Sequence, residues 1–406
     1  MVILSKSNKQ VFLLFLSTIL GTLLGVLSSI INTRFLIPEA YGDVRYVQNV
    51  INFISSILLF GYFLSGSRLL AISDDETCSK KIRGSLLVIL GICSAILILS
   101  MCVCSVLKNS ESSISYLFLV SMPVCTYPLL LNYINTVSQG DNHIGRISLA
   151  RVLPTFVYIP FAWYIYSASG ATPEKMVLLQ WGIYTVILLC IILSCKYSFY
   201  DLRPTFKALN AENKKYGFQL YLGSLIMVAS NYIAGITIGL FGDNNTEVGF
   251  YTLALTVTSP LAMLPGIIGT TYFKQFARQA FIPHKVMKWS ILLTVASCIL
   301  FILVIKWVVI LLYSEDYAPV GGYAVWLAAG FSIHGFGDMI NRYLGSHGQG
   351  KSIRNSSIAN GVFKIFGFTV LVYYFGVYGA LATSVICSTI YTLTLLYYYT
   401  KFVNNK

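Results

Sequence analysis

Apolar runs of about 20 residues recur along the whole chain, each long enough to cross roughly 30 Å of hydrocarbon at about 1.5 Å per residue. Twelve can be placed, at 11–31, 44–64, 84–107, 115–138, 148–168 and 176–195, then at 217–241, 249–270, 289–313, 320–345, 356–376 and 378–399. Strands of a membrane barrel alternate in polarity, so runs this continuous are helices. The pattern predicts an all-α integral membrane protein of about twelve transmembrane helices, with no room for a large soluble domain.

Polar positions inside the spans are few, and they line up. The first span ends in Asn32-Thr33-Arg34, and the connection Pro38-Glu39-Ala40-Tyr41-Gly42-Asp43 leads into a helix carrying Arg45, Gln48, Asn49, Asn52, Ser55 and Ser56 on one face. Milder stripes run through Thr18, Thr22, Gly25, Ser29 and Asn32 on the first span and Asn132, Asn135 and Gln139 on the fourth. Such stripes serve either helix packing or cavity lining. On the tenth span, His334, Asp338, Asn341, Arg342 and Gly345 form another. Pro123, Pro128, Pro154, Pro160, Pro260 and Pro265 each remove a backbone hydrogen bond and permit a bend.

Composition agrees with a lipid environment: 56% of the 406 residues are hydrophobic and 11% charged, with a mean hydropathy of +0.73. Of the 28 Lys and Arg, 22 fall in one alternating set of loops and termini, and Arg34, Arg45, Lys108 and Lys175 make up the other. Basic residues accumulate on the cytoplasmic side, which places both termini there. The net charge of +13 is thus a topology signal and does not argue for nucleic acid. The run behind Lys6 and Lys9 is long and lacks a small-x-small cleavage pattern, so it reads as a retained span. The cluster Asp74-Asp75-Glu76 beside Lys80-Lys81 reads as a solvated loop.

Nine cysteines lie mostly within spans, and the close pair Cys102 and Cys104 lacks the further ligands of a metal site. No HExxH, Walker A or GxSxG motif is present. We therefore expect no enzyme, no catalytic residue, no metal and no cofactor.

The chain resembles itself weakly at a period near 210, which sets Glu39-Ala40-Tyr41-Gly42 against Thr246-Glu247-Val248-Gly249 and Gln139-Gly140 against Gln349-Gly350. This predicts two six-helix lobes, 1–200 and 201–406, inserted with the same orientation and related by an axis along the membrane normal. The intramembrane charges do not repeat: Arg34 falls against Phe241, Arg45 against Thr252, Arg151 against Gly361 and Lys364 against Pro154.

Lys364 sits a third to halfway along its span, where a lysine costs about 2.5–3.5 kcal/mol on insertion scales. It is either a substrate-facing cation or a partner of Asp338. Asp338, the acid that lies clearly within a span, is either paired with Arg342 at i and i+4 or available as a coupling-ion carboxylate. Arg34 and Arg45 lie near an interface, with Glu39 and Asp43 as available partners, and Lys306 beside Trp307 and near Tyr313 reads as an outer-leaflet anchor. A cavity lined mainly by Arg and Lys favours an anion, and Arg matches phosphate oxygens with two parallel donors.

The segment Asn32-Thr33-Arg34-Phe35-Leu36-Ile37-Pro38-Glu39-Ala40-Tyr41-Gly42 resembles the Arg-x-Leu-Gly-Pro-Glu-x-Tyr/Phe-Gly signature of the Wzx-type flippases of the MOP exporter superfamily, with Ile37 where the signature often has glycine. Leu344-Gly345 through Gly350-Lys351 and Gly376-Val377-Tyr378-Gly379-Ala380-Leu381-Ala382-Thr383 carry the resemblance further. It implies a MATE-like fold in the bacterial inner membrane. It also implies transport of undecaprenyl-diphosphate-linked oligosaccharide, such as an O-antigen unit of lipopolysaccharide, by alternating access through a cationic central cavity. Arg34, Arg45, Asn52, Arg151, Arg342 and Lys364 are then the substrate-binding candidates and Asp338 the coupling-ion candidate for H+ or Na+. The charge count puts Arg34 and Arg45 at the outer mouth, where late contact or gating suits them, and leaves first capture to Arg151, Arg342 and Lys364. Other polysaccharide-assembly membrane proteins are expected partners. The alternatives are a MATE-like small-molecule or drug antiporter on the same fold and a membrane polysaccharide polymerase.

Overall fold

A computed structural model describes residues 6–73, 75–108 and 112–404. Within them the regular elements are helical, in the order α1 (Lys6–Phe35), α2 (Pro38–Ile57), α3 (Tyr62–Ile72), α4 (Glu76–Leu107), α5 (Ser113–Ser121), α6 (Tyr127–Gly140), α7 (Ile144–Ser169) and α8 (Pro173–Leu193). There follow α9 (Arg203–Glu212), α10 (Phe218–Phe241), α11 (Thr246–Thr271), the short α12 (Phe273–Phe276), α13 (His284–Tyr313), α14 (Pro319–Ser346), α15 (Gly350–Phe366) and α16 (Val372–Asn404). A backbone in hydrocarbon must satisfy its own polar groups, and helices do so locally. Among the described residues, six helical segments are long and apolar enough to cross a membrane on length and composition alone, and the bent pair α2–α3 makes a seventh.

Every expected span has a helical counterpart, but several are broken or longer than the hydrophobic pattern suggests. The second breaks at residues 58–61 and bends by 57° between α2 and α3. Phe60 and Gly61 hold φ of 43° and 79° there. The freed polar groups are met from the chain ahead of α10: Asn213 Nδ2 donates to the Phe60 carbonyl at 3.1 Å, and Ser65 Oγ donates to Asn213 Oδ1 at 3.0 Å. A Cβ on Gly61 would stand 2.5 Å from Gly217, so only glycine permits this crossing.

The fourth span is interrupted by a turn at 122–126 around Pro123, and α6 starts with Pro128 in its first turn. By contrast, Pro154 and Pro160 lie inside α7, and Pro260 and Pro265 inside α11, without ending either helix. The last two spans are joined through a π-helical turn, Gly367–Leu371, and a non-helical Gly376 with φ 56° and ψ −139°.

Local sequence explains several ends. Asp75 accepts from the backbone N–H groups of Thr77 and Cys78 at 2.9 and 3.2 Å, capping α4. Those donors hold its carboxyl below the usual range. Asp75 and Glu76 are exposed, as a solvated cluster should be, and add a structural role: Asp75 is a cap and Glu76 lies 3.7 Å from Arg83, while Asp74 lies outside the described residues. The side chains of Lys6, Lys9 and Lys274, and the whole of Lys406, also lie outside what is described. Lys175 Nζ donates to the Ser169 and Gly170 carbonyls at 2.7 and 3.0 Å, closing the C-terminal end of α7.

The chain forms two compact units, one of residues Met1–Leu36 and Val47–Leu225, the other of Ile37–Tyr46 and Ile226–Lys406. The division falls inside α2 and inside α10. In the first unit α7 packs on both α1 and α8, and α3 packs on α6. In the second, α14 is the central helix, packed by α11, α13 and α16. Its core there includes Met339, Ile340, Tyr343 and Leu344 with Phe276, Tyr391 and Leu395. The nine cysteines are unpaired thiols, and no group of three metal-ligating side chains occurs among the described residues.

Candidate functional site

The family-like segment at the start of α2 is built for close approach. Pro38 is the first residue of α2, where its missing N–H costs nothing and its fixed φ favours the turn. Tyr41 is fully buried and meets Tyr317 edge-on, ring centroids 6.1 Å apart. The Arg45 guanidinium lies over the Tyr41 ring at 4.8 Å. Gly42 faces α11 so closely that a Cβ would stand 1.9 Å from the Asn245 carbonyl oxygen. Asn245 Nδ2 donates to Asp43 Oδ1 at 2.8 Å, fixing the same junction from the other side. Arg34, at the end of α1, is exposed and has no polar partner among the described residues.

The second unit holds a half-buried polar cluster on its helices. Tyr391 Oη donates to Asp338 Oδ1 at 2.9 Å and accepts from Asn341 Nδ2 at 2.7 Å. The His334 ring stacks on Tyr391 with centroids 4.5 Å apart. Lys364 Nζ donates to Asn231 Oδ1 at 3.2 Å, and His334 lies within electrostatic reach of both Lys364 and Asp338. Helices α10, α14, α15 and α16 each contribute a member, and Asn360, one turn before Lys364, is buried. The ion pairs of Asp338, one of the two alternatives the sequence left open, are not formed. Neither Lys364 nor Arg342 lies within ion-pair distance, and a tyrosine hydroxyl takes the carboxylate instead. A neutral donor satisfies the carboxylate without neutralising its charge. Arg342 is exposed, its aliphatic stem against Gly269.

The first unit holds a seam between α1, α2, α7 and α8. Gln48 Nε2 donates to Gln180 Oε1 at 3.2 Å, and Gln180 Nε2 donates to Ser28 Oγ at 3.3 Å. Tyr158 donates to Asn32 Oδ1 and lies 3.0 Å from the Tyr166 hydroxyl. Arg151 donates to Thr18 Oγ1 at 2.5 Å, its stem against Gly21. The first-span stripe is therefore both packing surface and network: Thr18, Thr22 and Ser29 return their hydroxyls to carbonyls of their own helix, whereas Asn32 reaches across. Asn52 is half-buried on α2, and Ser55 and Ser56 bond back to Ile51 and Phe53.

Of the residues singled out by sequence, Arg34, Asn52 and Arg151 belong to the first unit, and Arg45, Arg342, Lys364 and Asp338 to the second. Lys364 and Asp338 both lie within electrostatic reach of His334, and Arg342 lies within that of Tyr391. Two features had no expectation. Tyr391 carries no mark among 28 tyrosines. The buried Arg83 lies 2.9 Å from the carboxylate of Asp141 and donates to the Lys196 carbonyl at 2.9 Å, with Arg146 a further 3.8 Å from Asp141. Its position in a basic loop cluster pointed only to topology.

Comparison with known proteins fits this geometry. The sequence matches the family described as polysaccharide biosynthesis protein over residues 7–273. No curated protein matches it. Among solved structures it is similar to the lipid II flippase MurJ in an inward closed conformation, with a TM-score of 0.76 at 13% identity over 97% of this chain and 90% of that one. It is also similar to an inward-facing multidrug resistance MATE transporter of the MOP superfamily, TM-score 0.71 at 16% identity over 95% of each chain. A MOP superfamily transporter from Pyrococcus furiosus gives 0.60 at 16% identity over 97% and 94%. These neighbours are transporters and flippases, and at such identities they show the fold. The chain is a multi-pass membrane protein with the MOP transporter fold, and it belongs to the polysaccharide biosynthesis protein family.

Proposed function

We propose that this protein is a flippase that moves a polyprenyl-diphosphate-linked oligosaccharide, of the undecaprenyl O-antigen type, from the cytoplasmic to the outer leaflet of a bacterial inner membrane. One observation carries the reading beyond the family: three of the cations that the spans carry, Arg151, Arg342 and Lys364, are left without counter-carboxylates. Among the described residues no Asp or Glu lies within ion-pair distance of Arg151, Arg342 or Lys364, whose contacts are a threonine, a glycine and an asparagine. Intramembrane cations held only by neutral groups keep their field for an anion. A diphosphate supplies that anion, and its own removal from water, a cost of several kcal/mol per ion, is offset by the same charges.

Twelve spans in two six-helix lobes, 1–200 and 201–406, with both termini cytoplasmic, give the alternating-access frame for this step. Arg151, Arg342 and Lys364 make the first contacts, with Arg34, Arg45 and Asn52 serving later ones. Asp338, held by the neutral Tyr391, remains available to bind H+ or Na+ as the coupling cation. A drug antiporter on the same fold is the competing reading, supported by the MATE likeness and opposed by the scarcity of intramembrane acid. A polymerase is the less favoured reading, because such enzymes usually present a sizeable outer loop and the outer connections between the expected spans are short. Deleting the gene separates the three. Single lipid-linked units trapped on the inner leaflet support the flippase, units accumulating on the outer leaflet support a polymerase, and drug sensitivity with normal polysaccharide supports the antiporter.

A further inference from the structure

The segment between α8 and α9 is pinned at one corner of the first unit. Ser198 donates its backbone N–H to the Lys80 carbonyl at 3.1 Å, Arg83 donates to the Lys196 carbonyl at 2.9 Å, and Tyr197 Oη donates to that of Ile192 at 2.7 Å. Gly84 lets the segment lie against α4, since a Cβ there would stand 2.3 Å from the Ser198 carbonyl oxygen. The loop is held at both edges, yet it turns two aromatics outward: Phe199 is 58% exposed and Tyr200 82%.

Three observations say what covers this corner. First, its cations have no acid partners. Lys81 Nζ lies 5.8 Å from the centre of the Tyr200 ring, Lys196, Arg203 and Lys207 are exposed, and among the described residues none of the four is within ion-pair distance of a carboxylate. The neighbouring acids are engaged elsewhere: Asp75 caps α4 with Lys80 in electrostatic reach, Glu76 lies 3.7 Å from Arg83, and Glu212 pairs with Arg68 at 2.6 Å, which leaves the exposed Asp201. Second, α9 is amphipathic and too short and polar to cross a membrane. It packs on α3 and α4 with Leu209 buried, and Arg203 and Lys207, one turn apart, face out. Third, α8 is long and apolar enough to be a span, and its exposed Val186, Leu189 and Leu193 form an apolar strip at helical spacing that ends six residues before Phe199. The corner therefore lies where hydrocarbon gives way to water, the depth at which tyrosines gather and headgroups sit. A soluble phosphate or an acidic peptide would engage the cations and leave the strip, and a zwitterionic lipid would cover the strip without matching the charge. An anionic phospholipid satisfies both.

We propose that this corner of the first unit binds an anionic phospholipid, its headgroup against Lys81, Lys196, Arg203 and Lys207 and its acyl chains along the apolar strip of α8. This lipid belongs to the surrounding bilayer and is not the cargo proposed above, so the site is indifferent to which molecule the protein transports. It also differs from the diffuse attraction of basic loops to a charged leaflet, which acts alike on any exposed pair of cations.

The test places the full-length protein in phosphatidylcholine nanodiscs holding a minor share of phosphatidylglycerol, or of phosphatidylcholine, that carries a diazirine next to its headgroup. The phosphatidylglycerol probe is expected to label peptides spanning 80–84 and 196–207 about tenfold more than the phosphatidylcholine probe. Unlabelled phosphatidylglycerol is expected to displace it, and glycerol phosphate is not. Lys81→Gln with Lys196→Gln is expected to bring the labelling down to the phosphatidylcholine level, in protein that stays monodisperse with an unchanged unfolding midpoint. Arg203→Gln with Lys207→Gln, two exposed side chains, is a second variant expected to lower it. Lys351→Gln with Arg354→Gln removes the same charge from exposed positions of the second unit and is expected to leave it unchanged. Equal labelling by the two probes, displacement by glycerol phosphate, full labelling of both first-unit variants, or an equal loss in the Lys351 and Arg354 variant would overturn the proposal.

Discussion

Gly42 and Gly249 occupy equivalent places in the internal repeat and touch each other. A Cβ added to Gly249 would stand 3.1 Å from the Gly42 Cα and 3.2 Å from the Pro38 carbonyl oxygen. The glycine that closes the family-like segment is thus there for a helix crossing, with the matching glycine of the second repeat on the other side. Gly42→Ala forces α2 off α11, an overpacking cost of about 1–3 kcal/mol. Gly25, with nothing within 4 Å of its Cβ position, is the control. Thermal unfolding in detergent is expected to show a lower midpoint for Gly42→Ala and no loss for Gly25→Ala.

The Arg83–Asp141 pair predicts a different signature. Both side chains are less than a tenth exposed, so Asp141→Asn leaves the buried guanidinium with only the exposed Glu76 carboxylate at 3.7 Å and costs up to about 3–5 kcal/mol. Replacing the pair together by Met and Leu recovers much of that loss, because no uncompensated charge remains. Chemical or thermal unfolding of the single and double variants checks the sign of the recovery.

The broken second span depends on Asn213 and Gly61. Asn213→Ala leaves the Phe60 carbonyl without its donor and removes one of two acceptors of the Ser65 hydroxyl, which keeps the Gly61 carbonyl at 3.1 Å, a loss of about 1–3 kcal/mol for the carbonyl left unmet. Gly61→Ala adds a clash with Gly217 at a positive φ. Limited proteolysis at residues 58–61 is expected to accelerate in both variants.

These contacts also mark where sequence stops being informative. The spans were legible because lipid imposes length and apolarity on every helix. Gly42 and Tyr41 were legible because a short local motif meets a short-range constraint. Long-range partner choice was not: Asp338 had two basic residues within sequence reach and took Tyr391, 53 positions away. Nor did the hydrophobic pattern reveal the break at Phe60 and Gly61, since the apolar run continues through it and the compensating asparagine lies 153 positions off. The buried Arg83 hid in a cluster of loop charges whose count serves topology.

Tyr391 offers a test of the second-unit cluster apart from transport. Tyr391→Phe removes the donor to Asp338 and the acceptor of Asn341 while keeping the ring against His334. The expected stability loss is about 1–3 kcal/mol, two hydrogen bonds at roughly 0.5–1.5 each. If Asp338 binds the coupling cation, Asp338→Asn keeps the fold and abolishes the dependence of transport on pH or sodium. Transport by that variant with an unchanged ion dependence would assign coupling elsewhere.

The central claim is that intramembrane cations without carboxylate partners serve an anionic lipid-linked substrate. Its most direct measurement is surface polysaccharide export by cells carrying Arg151→Ala, Arg342→Ala or Lys364→Ala, each at wild-type protein level in the membrane. The account predicts reduced export, deepest for Lys364→Ala, with lipid-linked units accumulating on the inner leaflet; normal export by all three would contradict it.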